Sequence, residues 1–556
     1  MKPTKIAYVS MEFGINNDMN TYCGGLGILS GDILKTSADY GHQIGIEMVG
    51  ISLLYKNGWF KQVVTQEGHQ EAMQDPWDYL KYLKNTNKSF EININSEKVK
   101  VEILEYTHTS PISNDSVKLY FLNTDLETNS PKMRLMSNQV YPSDQELWFS
   151  QQALLGLGAL ELDYVMELGI KKFHLNESHG AYLGLALYDK YQNWGYVRSH
   201  LVFTTHTPLE TAHQKKLLPE IAKLIGDKYI KYIPNEYIID NKINFTTLCL
   251  FASGFSNGVA KRHGDVTQKM YPKHKVNYVT NGAHISTWIC DKMAKIYDQY
   301  FIGWRNDPDM LRSIGIIPDQ LLQDIHFDNK VELCNYINKL YSKYNKNFNP
   351  HTFTIGFARR TVSYKRANLI LTELDRLKKI AEKYGELQIV FSGKAYPTDI
   401  EGAKMIESLI KSAKENNSIL KIAFIEDYDM ALAKKIVLGS DLWLNNPVPP
   451  LEASGTSGMK ASMNGIPNFS ILDGWWVEGH LEEETGWSIG QDLAHGEDCQ
   501  DSDINDLYDK LENQIYKAWK DPIKWAQIRK TCIALNATYF NTHRALKEYA
   551  LKAYLN

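Results

Sequence analysis

Apolar residues fall into two kinds of pattern along the chain, and the pattern changes near its middle. From about residue 352, strand-length apolar blocks alternate with stretches of helical period. The spacing predicts strands at 352–358, 387–392, 420–425 and 441–445, and helices at about 365–384, 398–414 and 429–439. Such alternation implies a parallel sheet with right-handed crossovers, covered on both faces. The first half is less regular. Lys5–Val9 reads as a strand, a helix follows from about Leu26 to Tyr40, and residues 43–54 form a second strand run. The segments FEININ, VKVEILEY and VKLYFL within 89–125 alternate apolar with polar positions, which predicts a β-meander inserted in this half. A long helix at Ser143–Leu168 precedes strands at Lys171–Leu175 and Leu201–Thr205. Residues 289–350 are mostly helical. The polar run YNKNFNPH suggests a boundary near residue 345, giving domains 1–345 and 346–505, with amphipathic helices in 506–556 crossing back.

Composition narrows the function classes. A chain of 556 residues has room for two or three domains. A net charge of −4 favours neither nucleic acid nor an anionic membrane. The six cysteines form no C-x-x-C pair, which argues against a disulfide frame or a metal site and for a reducing compartment. The start MKPTKIAYVSMEF lacks a signal-peptide pattern, and no apolar run is long enough to span a membrane. The expectation is a cytoplasmic enzyme. Its oligomeric state stays open, a homodimer included.

Candidate chemistry clusters where strands end. Asn176-Glu177-Ser178-His179 and His206 follow consecutive predicted strands, the ends at which open α/β sheets bind ligands. Gly24 and Gly25 lie where a glycine turn meets a helix start, a place suited to anions. Arg360 and Lys365 share one strand-to-helix loop and could converge on an anion. Pro449–Gly465, PPLEASGTSGMKASMNG, follows the apolar strand Asp441–Asn446 and runs from small residues into a helix. Lys460 lies about a turn inside that helix. A lysine between an anion-binding loop and a core strand can hold a phosphorylated aldehyde as a Schiff base. Each feature also has a plainer reading: a tight turn, a solvated basic loop, a surface lysine, a structural histidine.

The motif EASGTSGMK resembles the pyridoxal-phosphate segment of the α-glucan phosphorylases, which act on glycogen, starch or maltodextrin. The likeness extends in order through SMEF, the G-G-L-G loop, HLNESH, TTHT, TNGAH, Arg359-Arg360 with Tyr364-Lys365-Arg366, Ser392-Gly-Lys-Ala, Glu426-Asp-Tyr428 and LDGWWVEG. It implies a GT-B architecture, two Rossmann-like sheets facing across a catalytic cleft. It also implies reversible phosphorolysis of a non-reducing-end glucosyl unit of an α-1,4-glucan or maltodextrin by inorganic phosphate. By resemblance, Lys460 carries pyridoxal 5'-phosphate. The backbone of Gly455, Thr456 and Ser457 binds its phosphate, and Tyr428 and Arg359 lie beside the cofactor. Arg360 and Lys365 take the attacking phosphate, and His206 contacts the sugar. Gly24, Gly25, Leu26, Glu177, His179, Asn281, Lys394, Glu452 and Ser454 complete the substrate contacts. Trp288 is read as a packing residue, and Trp475 and Trp476 as core or as an acceptor-sugar platform. Two positions depart from the family wording. Ser457-Gly458 stands for Gly-Asn, and Asp429 stands where longer members have an Arg after the Tyr, which leaves Arg359 or another cation to compensate. A glycogen-synthase-type glucosyltransferase using a nucleotide sugar, or a glucan-binding homologue without activity, are the alternatives.

Overall fold

The computed structural model describes residues 2–342, 347–415, 418–491 and 500–555. It divides into two compact units. One comprises Met1–Phe60, Gln74–Thr280 and Thr542–Asn556, and the other Lys61–Met73 and Asn281–Asn541. The expected boundary near residue 345 lies outside the described residues, and the units part instead between Thr280 and Asn281. The reason is packing. The helix Asp319–Leu340 buries Leu333, Cys334 and Ile337 against Ile436 and Val437 of Met430–Gly439, so it belongs to the second unit.

The first unit is built on a nine-stranded sheet. Its order is 277–278, 255–258, 201–204, 172–176, 4–9, 46–53, 116–123, 97–109 and 84–94. Pairing is parallel from 277–278 through to 116–123, and the last two steps are antiparallel. The meander predicted within 89–125 is therefore fused to one edge of this sheet. Thr542–Asn556 completes the core. Leu546, Tyr549 and Tyr554 pack with Ile6, Tyr8 and Val202, and the Tyr554 hydroxyl meets His174 Nδ1 at 2.6 Å.

The second unit holds a six-stranded, wholly parallel sheet, ordered 420–425, 387–392, 353–358, 442–445, 468–471 and 486–489. Five of its strands are fully buried runs, as expected for a sheet covered on both faces. The helices from Gln500 to Thr531 pack on it through Leu507, Tyr508, Leu511 and Ile515. Of the 506–556 tail, only Thr542–Asn556 belongs to the first unit. The chain is thus α/β, with two parallel-sheet units of the kind that make up GT-B enzymes. Among the described residues, no helix is long and apolar enough to cross a membrane.

Candidate active site

In the second unit the strand Leu442–Asn445 delivers the chain into the turn Pro449–Gly455, and a short helix follows at Thr456–Ser462. Gly455 has φ +82°, a left-handed conformation that favours glycine. Among the described residues, no side chain caps the helix start. The swapped pair Ser457-Gly458 has a local explanation. A Cβ at Gly458 would stand 2.3 Å from Asn468 Oδ1 and 2.9 Å from the Trp475 ring. Ser457 Oγ accepts from the Trp443 indole at 3.1 Å. Glycine at 458 is what lets this helix lie against the strand Asn468–Ile471.

Lys460 is buried, at 5% exposure. Its Nζ lies over the Trp288 ring, 3.7 Å from the centroid. Trp288 is brought there by Asn464, whose amide nitrogen donates to the Trp288 carbonyl at 2.9 Å and whose oxygen accepts from Cys290 N at 3.1 Å. Trp475 and Trp476 are buried with Met459 and Phe540, and so are core residues.

Beside this helix the Glu452 carboxylate takes Arg359 Nη2 at 2.6 Å and Lys365 Nζ at 3.0 Å. Arg359 Nη1 also bonds Asn445 Oδ1. All three charged groups are buried. Burial alone would raise the Glu452 pKa, but Arg359 and Lys365 outweigh it and hold the value at about 2. Two buried cations share this one carboxylate, an arrangement that favours a further anion nearby. Arg359 Nε and Ser454 Oγ are buried without a hydrogen-bond partner among the described residues. Such orphans mark groups available to a ligand. Together with the buried Lys460 and the uncapped helix start, they fit a cofactor that carries both an anion and a lysine-reactive carbon. Arg360, unlike its neighbour, is exposed. Tyr428 donates to the Ala358 carbonyl at 3.2 Å, and burial raises its pKa. Asp429, one of the two departures, is a helix N-cap: its Oδ1 accepts from Leu432 N at 2.7 Å. Lys394 Nζ pairs with Asp427 at 2.7 Å. Asn281 is buried where the second unit begins.

In the first unit the helix Gly25–Tyr40 starts from Gly24. The Glu12 carboxylate accepts from Cys23 N at 2.6 Å and Gly24 N at 3.0 Å, and from the Tyr141 hydroxyl at 2.8 Å. Among the described residues, a Cβ on Gly24 or Gly25 would meet nothing within 4 Å, so their packing does not require glycine at either position. Glu12, to which the sequence reading gave no role, thus takes up the Gly24 amide. Leu26 follows in the first turn of this helix.

Glu177 has φ +72° and knits two strand ends together. Its carboxylate accepts from Ser178 N at 2.9 Å, His206 N at 2.7 Å and Thr207 Oγ1 at 3.1 Å. Burial would raise its pKa, but His206 and His179 hold it low. His206 Nε2 lies 2.6 Å from Asn176 Oδ1, which also accepts from the Tyr8 hydroxyl. His206 Nε2 is therefore the protonated nitrogen, and Nδ1 is left as an acceptor. Burial drops the His206 pKa to about 4 despite Glu177, so the ring is neutral near pH 7. His179, buried against Trp148, is likewise lowered to about 4 by burial. Its Nδ1 has no hydrogen-bond partner among the described residues.

The family model of the carbohydrate phosphorylases matches residues 191–491. The chain belongs to that family. It is 34% identical to the glycogen phosphorylase of Aquifex aeolicus, across 99% of this chain and 86% of that one. It is 34% identical to the maltodextrin phosphorylase of Thermococcus litoralis, across 99% of this chain and 70% of the relative. An uncharacterized protein of Methanocaldococcus jannaschii is 30% identical with both chains fully covered. Within this phosphorylase the predicted residues gather by unit. Gly24, Gly25, Leu26, Glu177, His179 and His206 lie in the first, and Asn281, Arg359, Arg360, Lys365, Lys394, Tyr428 and Glu452 through Lys460 in the second. The sequence reading names Asn176 only as part of a strand-end motif, and gives no role to Asn445 and Gln62, which bond Arg359 and Asp427. A polar residue at a strand end is the signal for Asn176 and Asn445, whereas Gln62 lies inside the strand Lys61–Val64.

Proposed function

We propose that this chain is an α-1,4-glucan phosphorylase. It moves the non-reducing terminal glucosyl unit of a glucan or maltodextrin onto inorganic phosphate with retention, reversibly, giving α-D-glucose 1-phosphate. The observation that supports this best is the buried Lys460, in the last turn of the short helix that follows Glu452, the carboxylate on which Arg359 and Lys365 meet. A nucleotide-sugar transferase has no use for a buried lysine there.

The cofactor in this reading is pyridoxal 5'-phosphate. Lys460 holds it, the backbone N–H groups of Gly455, Thr456 and Ser457 receive its phosphate, and Arg359 and Tyr428 flank it. When bound, it supplies a phosphate that exchanges a proton with the substrate phosphate. The chain's own residues do the rest. Arg360 and Lys365 bind the inorganic phosphate, and Lys365 has donor capacity for this because an ammonium carries three N–H groups. That phosphate protonates the departing glycosidic oxygen, the C1–O bond breaks, and a phosphate oxygen bonds to C1 on the same face. His206, neutral near pH 7, can stand beside the sugar without a positive charge that would oppose the one developing there. Glu177, through the His206 amide, sets where that imidazole stands. His179, Asn281, Lys394, Glu452 and Ser454 contact the sugar units. The backbone of Gly24, Gly25 and Leu26 meets the sugar phosphate, and Gly25 and Leu26 are the donors left once Glu12 has taken the Gly24 amide.

The test is to incubate the purified protein with maltodextrin and phosphate and assay glucose 1-phosphate. Phosphate-dependent release is expected. No release, together with glucosyl transfer from a nucleotide sugar, would overturn the reading.

A further inference from the structure

A hairpin from the first half of the sequence, Lys61–Val64 paired with Gln70–Met73, belongs to the second unit. Its contacts there are specific. Gln62 is 1% exposed. Its Nε2 donates to the Gly393 carbonyl at 2.9 Å and to Gln70 Oε1 at 2.7 Å. Its Oε1 accepts from Asp427 N at 2.7 Å, and its own backbone N–H donates to Asp427 Oδ1 at 3.0 Å. Gln70 continues the pattern, donating to the Ala395 carbonyl and accepting from Ala395 N, both at 3.0 Å. Val64 N donates to Glu426 at 2.7 Å. The two glutamines thus clamp the loop after the strand Leu387–Ser392 to the loop after Leu420–Ile425.

Those loops carry Lys394 and Tyr428. Asp427 sits between them with φ +61°, unfavourable for a residue with a side chain. The same Asp427 oxygen that takes the Gln62 amide takes Lys394 Nζ at 2.7 Å. The Lys394 carbonyl in turn accepts from Thr361 N at 2.9 Å, just after Arg359 and Arg360. A neutral amide is suited to this place because it gives a donor to Gly393 and an acceptor to Asp427 at once. A carboxylate in its place has no donor for Gly393.

We infer that Gln62 is a positioning residue: with Gln70 it sets Asp427, and through Asp427 it sets Lys394. The inference rests on the phosphorylase reading for its kinetic consequence and on the hydrogen bonds alone for its structural one. The experiment is a double-mutant cycle on the holoenzyme between Gln62→Ala and Lys394→Ala, with Gln62→Glu as a second probe. Gln62→Ala should lower kcat/KM for phosphorolysis about tenfold to a hundredfold, as expected for a misplaced contact group. In the Lys394→Ala background the same change should cost little more. Gln62→Glu should be at least as damaging as Gln62→Ala. Fully additive losses, or wild-type kinetics in Gln62→Ala, overturn the inference. Amide hydrogen exchange gives a readout that needs no activity. The Asp427 and Ala395 amides should exchange faster in Gln62→Ala, while the strand Phe353–Ala358 is unchanged. If the native enzyme releases no glucose 1-phosphate, the functional reading has failed, and unchanged exchange at Asp427 overturns the clamp independently.

Discussion

Lys460 Nζ stands 3.7 Å from the centroid of the Trp288 ring. A lysine is seldom buried, and this one rests on an aromatic face that accepts its positive charge. Its neighbours therefore hold the amine inside the unit and not in bulk water.

A Schiff base between Lys460 and pyridoxal phosphate gives an absorbance band near the edge of the visible, and Lys460→Ala should abolish both this band and phosphorolysis, while the thermal melt stays cooperative. A band of full intensity in that variant would falsify the role given to Lys460.

Arg359 and Arg360 are adjacent yet differently placed, one buried on Glu452 and the other exposed. Arg360→Ala should abolish phosphorolysis and leave the cofactor band intact. Arg359→Ala should weaken the band itself and lower stability, because Glu452 loses a buried partner, at a cost of about 3–5 kcal/mol. Titration with pyridoxal phosphate separates the two. Equal cofactor affinity in both variants would remove Arg359 from the cofactor site.

Glu452 links stability to acidity. Its folded-state pKa of about 2 lies below the ordinary 4.5, so the unfolded chain takes up a proton first as pH falls. Its stabilising contribution is complete above the unfolded value and is lost as pH drops from about 5 towards 2. Glu452→Gln should be less stable at pH 7 and lose less on acidification, measured by denaturant titration at pH 7 and pH 3. Asp441, held at about 2 against its burial by Lys330 and His326, should supply a remaining slope.

The glycines divide into two classes. Gly458→Ala should destabilise the fold by about 1–3 kcal/mol, since its methyl group collides with Asn468 and Trp475. Gly25→Ala should leave the melting temperature unchanged and raise the KM for glucose 1-phosphate in the synthetic direction. A large fall in melting temperature for Gly25→Ala would instead make that glycine structural.

The regular half of the fold was legible because its strands are buried on both faces. The predicted strand 387–392 is Leu387–Ser392, and 420–425 is Leu420–Ile425. The allegiance of 61–73 was not legible. It depends on Gln62 meeting Gly393, 331 positions away, and no local pattern encodes such a bond. A tail that crosses back was expected from its amphipathic helices, but the bonds that seat it, from the Tyr549 and Tyr554 hydroxyls to Thr204 and His174, were not legible. In the site, motif wording gave the residues around Lys460. It could not give the way Arg359 and Arg360 divide between interior and surface, which is set by the direction of each side chain as the chain leaves the strand Phe353–Ala358.

The return of Thr542–Asn556 into the first unit bears on synthesis. A ribosome must pass residue 554 before both Tyr549 and Tyr554 can reach Asn257, Thr204 and His174. Until then the first unit lacks the two hydroxyls that bond those residues, and early-made polypeptide must wait for late-made polypeptide. Neither half should mature alone when expressed from a split gene.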